Sequence, residues 1–233
     1  AFSKDSLITH ANNAIDELDK SINVFVERLR EWYGLHFPEM DKAIDKHEKY
    51  AQTIAESGNK NNISESTLAQ LTSKSMGADS TVDDINAVQK LANQILELNK
   101  TRDALSKYLE KLLQEIAPNF TELAGPMISA KLNTKAGGLE KLSRMPSSTV
   151  QLLGAEKALF RFLHGKGKSP RFGILFSHPM VQNSPEKFKG KIARLLAAKL
   201  SVAAKIDFYS KEYKGGKMKQ ELEQRVKSVL NSK

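Results

Sequence analysis

The sequence predicts a predominantly helical chain, a long antiparallel coiled coil followed by a compact, mainly helical C-terminal half. Three observations carry this. First, Ile8, Ala11, Ile15, Leu18, Ile22, Phe25, Leu29 and Trp32 recur at alternating steps of three and four, the seam of a helix that must bury one stripe against another helix. Second, Leu91, Ile95, Leu98, Arg102, Leu105, Leu109, Leu112 and Ile116 repeat the pattern. Third, helically spaced apolar faces recur from Leu152 to the end, separated by Gly and Pro breaks.

Taken in order, the first helix ends at Gly34–Pro38 (GLHFP), where Gly disfavours the helix and Pro removes a donor. A second helix is expected over Glu39–Ala55, with Met40, Ala43, Ile44, His47, Ala51 and Ile54 on one face. Ser57–Asn62 is a turn cluster, and Ser64–Ser75 carries a short helix around Leu68 and Leu71. Thr81–Asp84 (TVDD) starts the second long helix with acids in its first turn. Pro118 stops that helix, and the domain boundary is placed near Asn119, giving 1–119 and 120–233. The two seams fold back on each other, with Gly34–Thr81 as the tip. That tip either pairs with another copy or closes an ordinary helical hairpin.

Ala124-Gly125-Pro126 and Gly137-Gly138 are breaks, and Met145–Thr149 ends a turn or two of helix. Leu152–Leu163 reads as one helix with Leu152, Leu153, Ala155, Leu159, Phe160 and Leu163 on its apolar side. Arg171–Ser177 (RFGILFS) reads as extended. Ser184 is placed as N-cap and Pro185 as first residue of the next helix. That helix continues through Phe188, Ile192, Leu196, Leu200 and Ile206. Gly215-Gly216 links to a last amphipathic helix, Met218–Leu230.

The charge is divided along the chain. Residues 1–120 hold 14 Lys and Arg against 19 Asp and Glu, net −5, whereas residues 121–233 hold 22 against 8, net +14. An acidic support carrying a polyanion-binding half fits this division; the alternative is a solvated basic surface of a Lys-rich chain. There is no cysteine, so disulfides and thiolate metal sites are excluded and an intracellular setting fits. No run approaches the roughly 18 apolar residues of a membrane span. No signal peptide is visible in AFSKDSLITH, and the missing initiator Met suggests a processed chain or one that begins mid-protein.

Catalytic motifs are poor. His10, His36, His47, His164 and His178 show no metal-ligand spacing. Gly167-Lys168-Ser169 imitates the end of a phosphate-binding loop, but Phe162 stands where that loop requires Gly, and Pro170 obstructs the helix that would follow. Ser184–Lys187 matches SxxK only as a short chance pattern. No metal, cofactor or enzymatic activity is expected.

The basic features carry more chemistry. Gly154 lacks a Cβ and admits close approach of backbone or phosphate. Lys157 and Arg161 lie four apart on one helix face. His164, Lys166, Lys168 and Arg171 extend the charge along a loop, and Lys187, Lys189, Lys191, Arg194 and Lys199 load the next helix. Arg supplies forked hydrogen bonds to phosphate, and both residue types release counterions. Any one of these is as well explained by a solvated surface charge; the cluster is not.

The string Gly154-Ala155-Glu156-Lys157-Ala158-Leu159-Phe160-Arg161 resembles the signature of the Nop domain in core proteins of box C/D guide ribonucleoproteins (RNPs). The later segments His178-Pro179-Met180-Val181-Gln182 and Lys189–Lys199 are similar to the second half of that domain, and the preceding coiled coil fits the family's layout. The resemblance covers nearly the whole chain. It implies an all-α fold, a coiled coil that self-associates, and a Nop domain that docks on a kink-turn RNA already bound by a kink-turn-binding protein. The resemblance places Gly154–Lys157 at that composite surface, Ala158–Arg161 against the guide or guide–substrate duplex, and the helix from Lys187 along the RNA backbone, with His178 and Gln182 nearby.

The resemblance further implies a non-catalytic scaffold for RNA 2′-O-methylation. The family's N-terminal domain recruits the methyltransferase fibrillarin, and it is missing from this sequence. The chain itself needs no cofactor, since S-adenosylmethionine belongs to fibrillarin. HPMVQ and the bare C-terminus look archaeal, hence cytoplasmic; a eukaryotic relative would be nucleolar. Two alternatives stand beside this reading: a non-specific basic RNA-binding protein, and the Nop-domain splicing factor of the U4 particle, which departs from GAEKALFR.

Overall fold

The computed structural model describes residues 3–64 and 66–231. Glu65, within the expected short helix Ser64–Ser75, lies outside the described residues. In chain order the elements are α1 (Lys4–Tyr33), α2 (Glu39–Ala43), α3 (His47–Ser57), α4 (Ser66–Thr72), α5 (Val82–Ile116), α6 (Pro118–Ala124), α7 (Pro126–Ala136), α8 (Leu139–Arg144), α9 (Ser147–Leu152), α10 (Glu156–Leu163), α11 (Pro179–Gln182), α12 (Glu186–Lys205) and α13 (Gly215–Asn231). No strand occurs among the described residues, so the fold is all-α. The chain divides into two compact units, Ala14–Leu105, and Ala1–Asn13 with Ser106–Lys233.

In the unit Ala14–Leu105, α1 and α5 pack with α3 around one core that includes Ile22, Val26, Leu29, Tyr33, Tyr50, Ile54, Val88, Ala92 and Ile95. Asp19 on α1 accepts from Arg102 Nε on α5 at 3.0 Å, and Arg102 occupies the one polar position of the second seam. The buried stripe of α1 departs from the strict heptad. Val26 and Tyr33 are buried, while Phe25 and Trp32 are each 42% exposed. A straight helix of 3.6 residues per turn drifts against a 3.5-residue repeat, so the buried row moves on by one residue within three heptads.

The helix expected over Glu39–Ala55 is broken between α2 and α3, and Arg30 occupies the break. Its Nη2 donates to Ile44 O at 2.7 Å and Asp45 O at 3.1 Å, its Nη1 to Asp41 Oδ1 at 2.6 Å, and its Nε to His47 Nδ1 at 3.2 Å. The guanidinium also lies 4.3 Å from the Tyr50 ring centroid. The fork thus serves carbonyls that a continuous helix would have used itself. Beyond the break, buried His36 accepts from Lys60 N through Nε2 and donates through Nδ1 to Ala78 O, 3.1 and 2.9 Å.

In the other unit α12 is the central helix. Ile192, Ala193, Leu196, Ala197, Leu200, Ala203 and Ala204 are all fully buried against α6, α8, α9 and α13. Its small residues let neighbouring helices approach closely. Past Lys205 it widens into a π-turn, Ile206–Ser210, that aims buried Asp207 at the start of α6. Asp207 Oδ1 accepts from Asn119 N at 3.1 Å and Asn119 Nδ2 at 2.6 Å, and Oδ2 from Phe120 N at 2.8 Å. The two backbone donors, Asn119 N and Phe120 N, are free N–H groups of the first turn of α6, which has Pro118 at its start. Burial lifts the Asp207 carboxyl above its ordinary value, and the three N–H donors oppose that lift.

Asp5 ties the chain start into this unit, accepting from Asn133 Nδ2 at 2.9 Å and Leu139 N at 3.0 Å. Lys4 pairs with Glu115 at 2.6 Å. The compact unit therefore takes in Ala1–Asn13 and begins again at Ser106 rather than at the Asn119 boundary read from the sequence. The breaks at Gly125-Pro126 and Gly137-Gly138 stand where expected. Gly137 is left-handed at φ 80°, and Gly138 N bonds Asn133 O across it.

Candidate nucleic-acid interface

The helix read as Leu152–Leu163 is two helices, α9 and α10, joined by a turn at Leu153–Ala155. Gly154 makes the turn with φ +89°. A Cβ at this position would lie 2.6 Å from Ile174 Cγ1, so the bare Cα serves packing against the chain's own Ile174 rather than approach of a phosphate. Gly154 N donates to Glu156 Oε1 at 2.8 Å, and Lys135 Nζ stands 3.4 Å from Glu156 Oε2. Burial pushes the Glu156 carboxyl upward. Hydrogen bonds from the Gly154 and Glu156 N–H groups and the Lys135 charge outweigh it and hold the group below the usual carboxylate range. Of Gly154–Lys157, only Lys157 points outward without an ion pair among the described residues.

The segment Arg171–Ser177 is not extended. Gly173 N and Ile174 N bond Gln151 O and Leu153 O at 3.0 and 2.7 Å, after which Ile174–Ser177 forms a 3-10 turn. Phe172 and Phe176 stack, with centroids 5.0 Å apart. Backbone pairing to the end of α9 replaces sheet pairing and brings Ile174 over Gly154.

α10 buries no residue completely. Ala155, Ala158 and Leu159 are half-buried, and Leu159 sits over a depression lined by Ser148, Thr149, Leu152 and Leu153. Phe160, Phe162 and Leu163 are exposed by 62%, 41% and 70%. Phe160 packs against His164 with centroids 4.0 Å apart and the rings tilted by 34°, and His164 Nδ1 bonds Phe160 O at 2.8 Å. Arg161, Lys166 and Lys168 are exposed and unpaired among the described residues.

Helix α12 begins one residue later than expected. Pro185 is its N-cap, and Ser184 Oγ turns back to Met180 O at 2.6 Å. Its first two turns present Glu186, Lys187, Gly190, Lys191 and Arg194 at helical spacing. Arg171, Gly190, Lys191 and Arg194 line a cleft of about 520 Å³ with Gln151, Ser169 and Pro170. Lys187 Nζ lies 4.6 Å from the Phe188 ring centroid. The cleft unites cations from two segments 20 residues apart in sequence. Helix spacing alone foretold the α12 row; the roles of Gln151, Ser169 and Gly190 went unnoticed.

Three residues assigned to this surface are committed elsewhere. His178 is 7% exposed; its Nε2 donates to Leu123 O at 3.0 Å and its Nδ1 accepts from Met180 N at 3.2 Å, capping α11. Burial, aided by the Lys219 charge, lowers its pKa against the pull of the Leu123 carbonyl. Lys199 pairs with Glu221 on α13 at 2.5 Å. Lys189 pairs with Glu186 at 3.3 Å, and its Nζ lies 5.2 Å from the Phe176 centroid. Residue type suggested a surface role for each, but burial and partners give each an internal one. Gln182 is exposed.

Among the described residues no group of three or more His, Cys, Asp or Glu could hold a metal, and no helix is long and apolar enough to cross a membrane. On these segments the outward cations without a described ion pair are Lys157, Arg161, Lys166, Lys168, Lys187, Lys191 and Arg194, and the exposed Arg171 pairs with Glu186. With the exposed rings of α10 they give this all-helical unit an electropositive face, and clustered positive charge of this kind attracts polyanions.

The chain belongs to the Nop family: the family model described as "snoRNA binding domain, fibrillarin" matches residues 14–228. A NOP5 family protein of Methanocaldococcus jannaschii, itself named as uncharacterized, is 43% identical over 238 residues, covering 97% of this chain and 57% of that protein. Nucleolar protein 58 of Schizosaccharomyces pombe is 40% identical over 241 residues, covering 98% of this chain and 47% of that protein. The chain thus spans about half the length of these curated relatives. A solved fibrillarin/Nop5p complex contains a chain with TM-score 0.61 and 26% identity, covering 97% of this chain and 69% of that one.

Proposed function

We propose that this chain is the RNA-facing part of a box C/D RNP scaffold. It recognises a kink-turn RNA together with the kink-turn-binding protein on it, and so holds guide RNA and methyltransferase in place for 2′-O-methylation. The observation that carries this reading is α10, the GAEKALFR helix. It is amphipathic yet uncovered, with an unpaired Lys157 and Arg161 beside exposed Phe160 and Phe162. An interface with both unpaired cations and exposed rings suits a surface that is part nucleic acid and part protein.

In this reading the chain is not an enzyme. Fibrillarin supplies the catalysis and binds through the part of the relatives that this chain does not span. The unit Ala14–Leu105 acts as an assembly arm that pairs with a second copy, for which the exposed Phe25, Trp32 and Leu35 are available, and the other unit acts on RNA. Localisation follows the host, cytoplasm in an archaeon and nucleolus in a eukaryote.

The reading is tested by a gel shift on a box C/D kink-turn RNA, with and without the kink-turn-binding protein, at two salt concentrations. A supershift that needs the companion and weakens steeply with salt is expected. A shift indifferent to the companion would instead mark a general basic RNA binder.

A further inference from the structure

Between Lys157 and Ile206 the sequence holds eleven Lys and Arg and a single acid, Glu186. The structure places that acid at the basic cleft. Arg171 Nη1 donates to Glu186 Oε1 at 3.2 Å, and Lys189 Nζ stands 3.3 Å from Glu186 Oε2. Glu186, Gly190 and Arg194 form one stripe of α12 at four-residue spacing, and the last two line the cleft with Arg171 and Lys191. The Glu186 side chain is 70% exposed, so burial does not fix it in this position. Each of its oxygens serves one cation, as two phosphate oxygens would.

We propose that Glu186 is a built-in competitor for RNA phosphate at this cleft. In the free chain it occupies the exposed Arg171, and an RNA backbone must displace it to engage that guanidinium. The proposal rests on the RNA-facing reading above and adds the group that regulates that surface. A phosphate entering beside Lys191 and Arg194 meets the Glu186 charge unless Glu186 swings away. Untethered RNA bears this penalty with few other contacts to offset it, whereas RNA held in register by a companion protein offsets it with the whole interface. Glu186 therefore lowers affinity for wrong RNA more than for right RNA, which is specificity obtained by a repulsive element.

The test measures binding of a short naked RNA duplex to the full chain and to Glu186→Gln, by fluorescence anisotropy across a salt series. Competition predicts that Glu186→Gln binds naked RNA roughly three- to ten-fold more tightly, with a log affinity against log salt slope steeper by about one. It also predicts a smaller gain on adding the companion. Unchanged or weaker naked-RNA binding, at a wild-type melting temperature, would overturn the proposal.

Glu186 also sits in the first turn of α12, where negative charge favours the helix, so Arg171→Gln is measured in both backgrounds. Its cost must be larger with Gln at 186, because Arg171 is then free to bind; equal costs overturn competition. Failure of the functional reading shows itself differently, as a wild-type chain that ignores the companion protein whatever stands at position 186.

Discussion

Ile174 occupies the space that a side chain on Gly154 would need. With φ +89° at Gly154 and Ile174 Cγ1 2.6 Å from any added Cβ, the first residue of the GAEK string is required by the chain's own packing. Gly154→Ala is expected to destabilise the chain by about 2–4 kcal/mol, from left-handed strain and overpacking together. Urea denaturation checks this. Adding Ile174→Ala should restore part of the loss, so the double variant falls short of the sum of the singles.

Lys157 and Lys199 are both lysines of the basic half, yet their surroundings oppose them. Lys157→Ala removes an exposed, unpaired cation. It should leave the melting temperature unchanged and weaken assembly on the RNA–companion complex by roughly three- to ten-fold. Lys199→Ala breaks the pair with Glu221; it should lower the melting temperature slightly and leave RNA affinity near wild type. The reverse pattern would reassign both. Arg161→Ala should disturb placement of the substrate duplex more than assembly.

His178 links stability to pH. Its folded pKa is depressed, first by burial, while the unfolded ring titrates near about 6.5. The unfolded state therefore takes up the proton first as pH falls. The stabilisation is fully present above about pH 6.5 and is lost as pH falls below it, by at most about 1.4 kcal/mol per unit. Thermal melts between about pH 7 and pH 5 should show the decline. His178→Gln should be less stable at neutral pH and show a shallower decline; an equal slope would exclude His178 as the source.

Arg30 and Asp207 each join separate elements by several hydrogen bonds. Arg30→Lys cannot reproduce the fork that serves Ile44 O, Asp45 O and Asp41, and should cost about 1–3 kcal/mol. Asp207→Asn sets an amide N–H against the N–H donors of α6 and should cost about 2–4 kcal/mol. Chemical denaturation of each variant is the check.

The sequence showed the helices whose signals are local. Pro118, Gly125-Pro126 and Gly137-Gly138 mark breaks that the structure contains, because backbone geometry at Gly and Pro acts within a few residues. The α2–α3 and α9–α10 breaks were missed because a distant partner makes each: Arg30 for the first, Ile174 for the second. Apolar periodicity found α1 but misjudged its buried row, taking Phe25 and Trp32 for Val26 and Tyr33. Within the site, charge and spacing pointed to Lys157, Arg161, Lys191 and Arg194. They did not reveal that His178 and Lys199 turn inward, nor that Arg171 and Lys189 share Glu186, since those facts depend on tertiary neighbours.

We propose that α10 and the start of α12 form one face for a composite RNA–protein surface. Ultraviolet cross-linking of the chain to kink-turn RNA, followed by peptide mapping, tests it most directly. A composite face of this kind gives cross-links within residues 155–171 and 187–194 that grow strongly when the kink-turn-binding protein is present. Cross-links confined to the acidic residues 14–105, or a pattern the companion leaves unchanged, would contradict it.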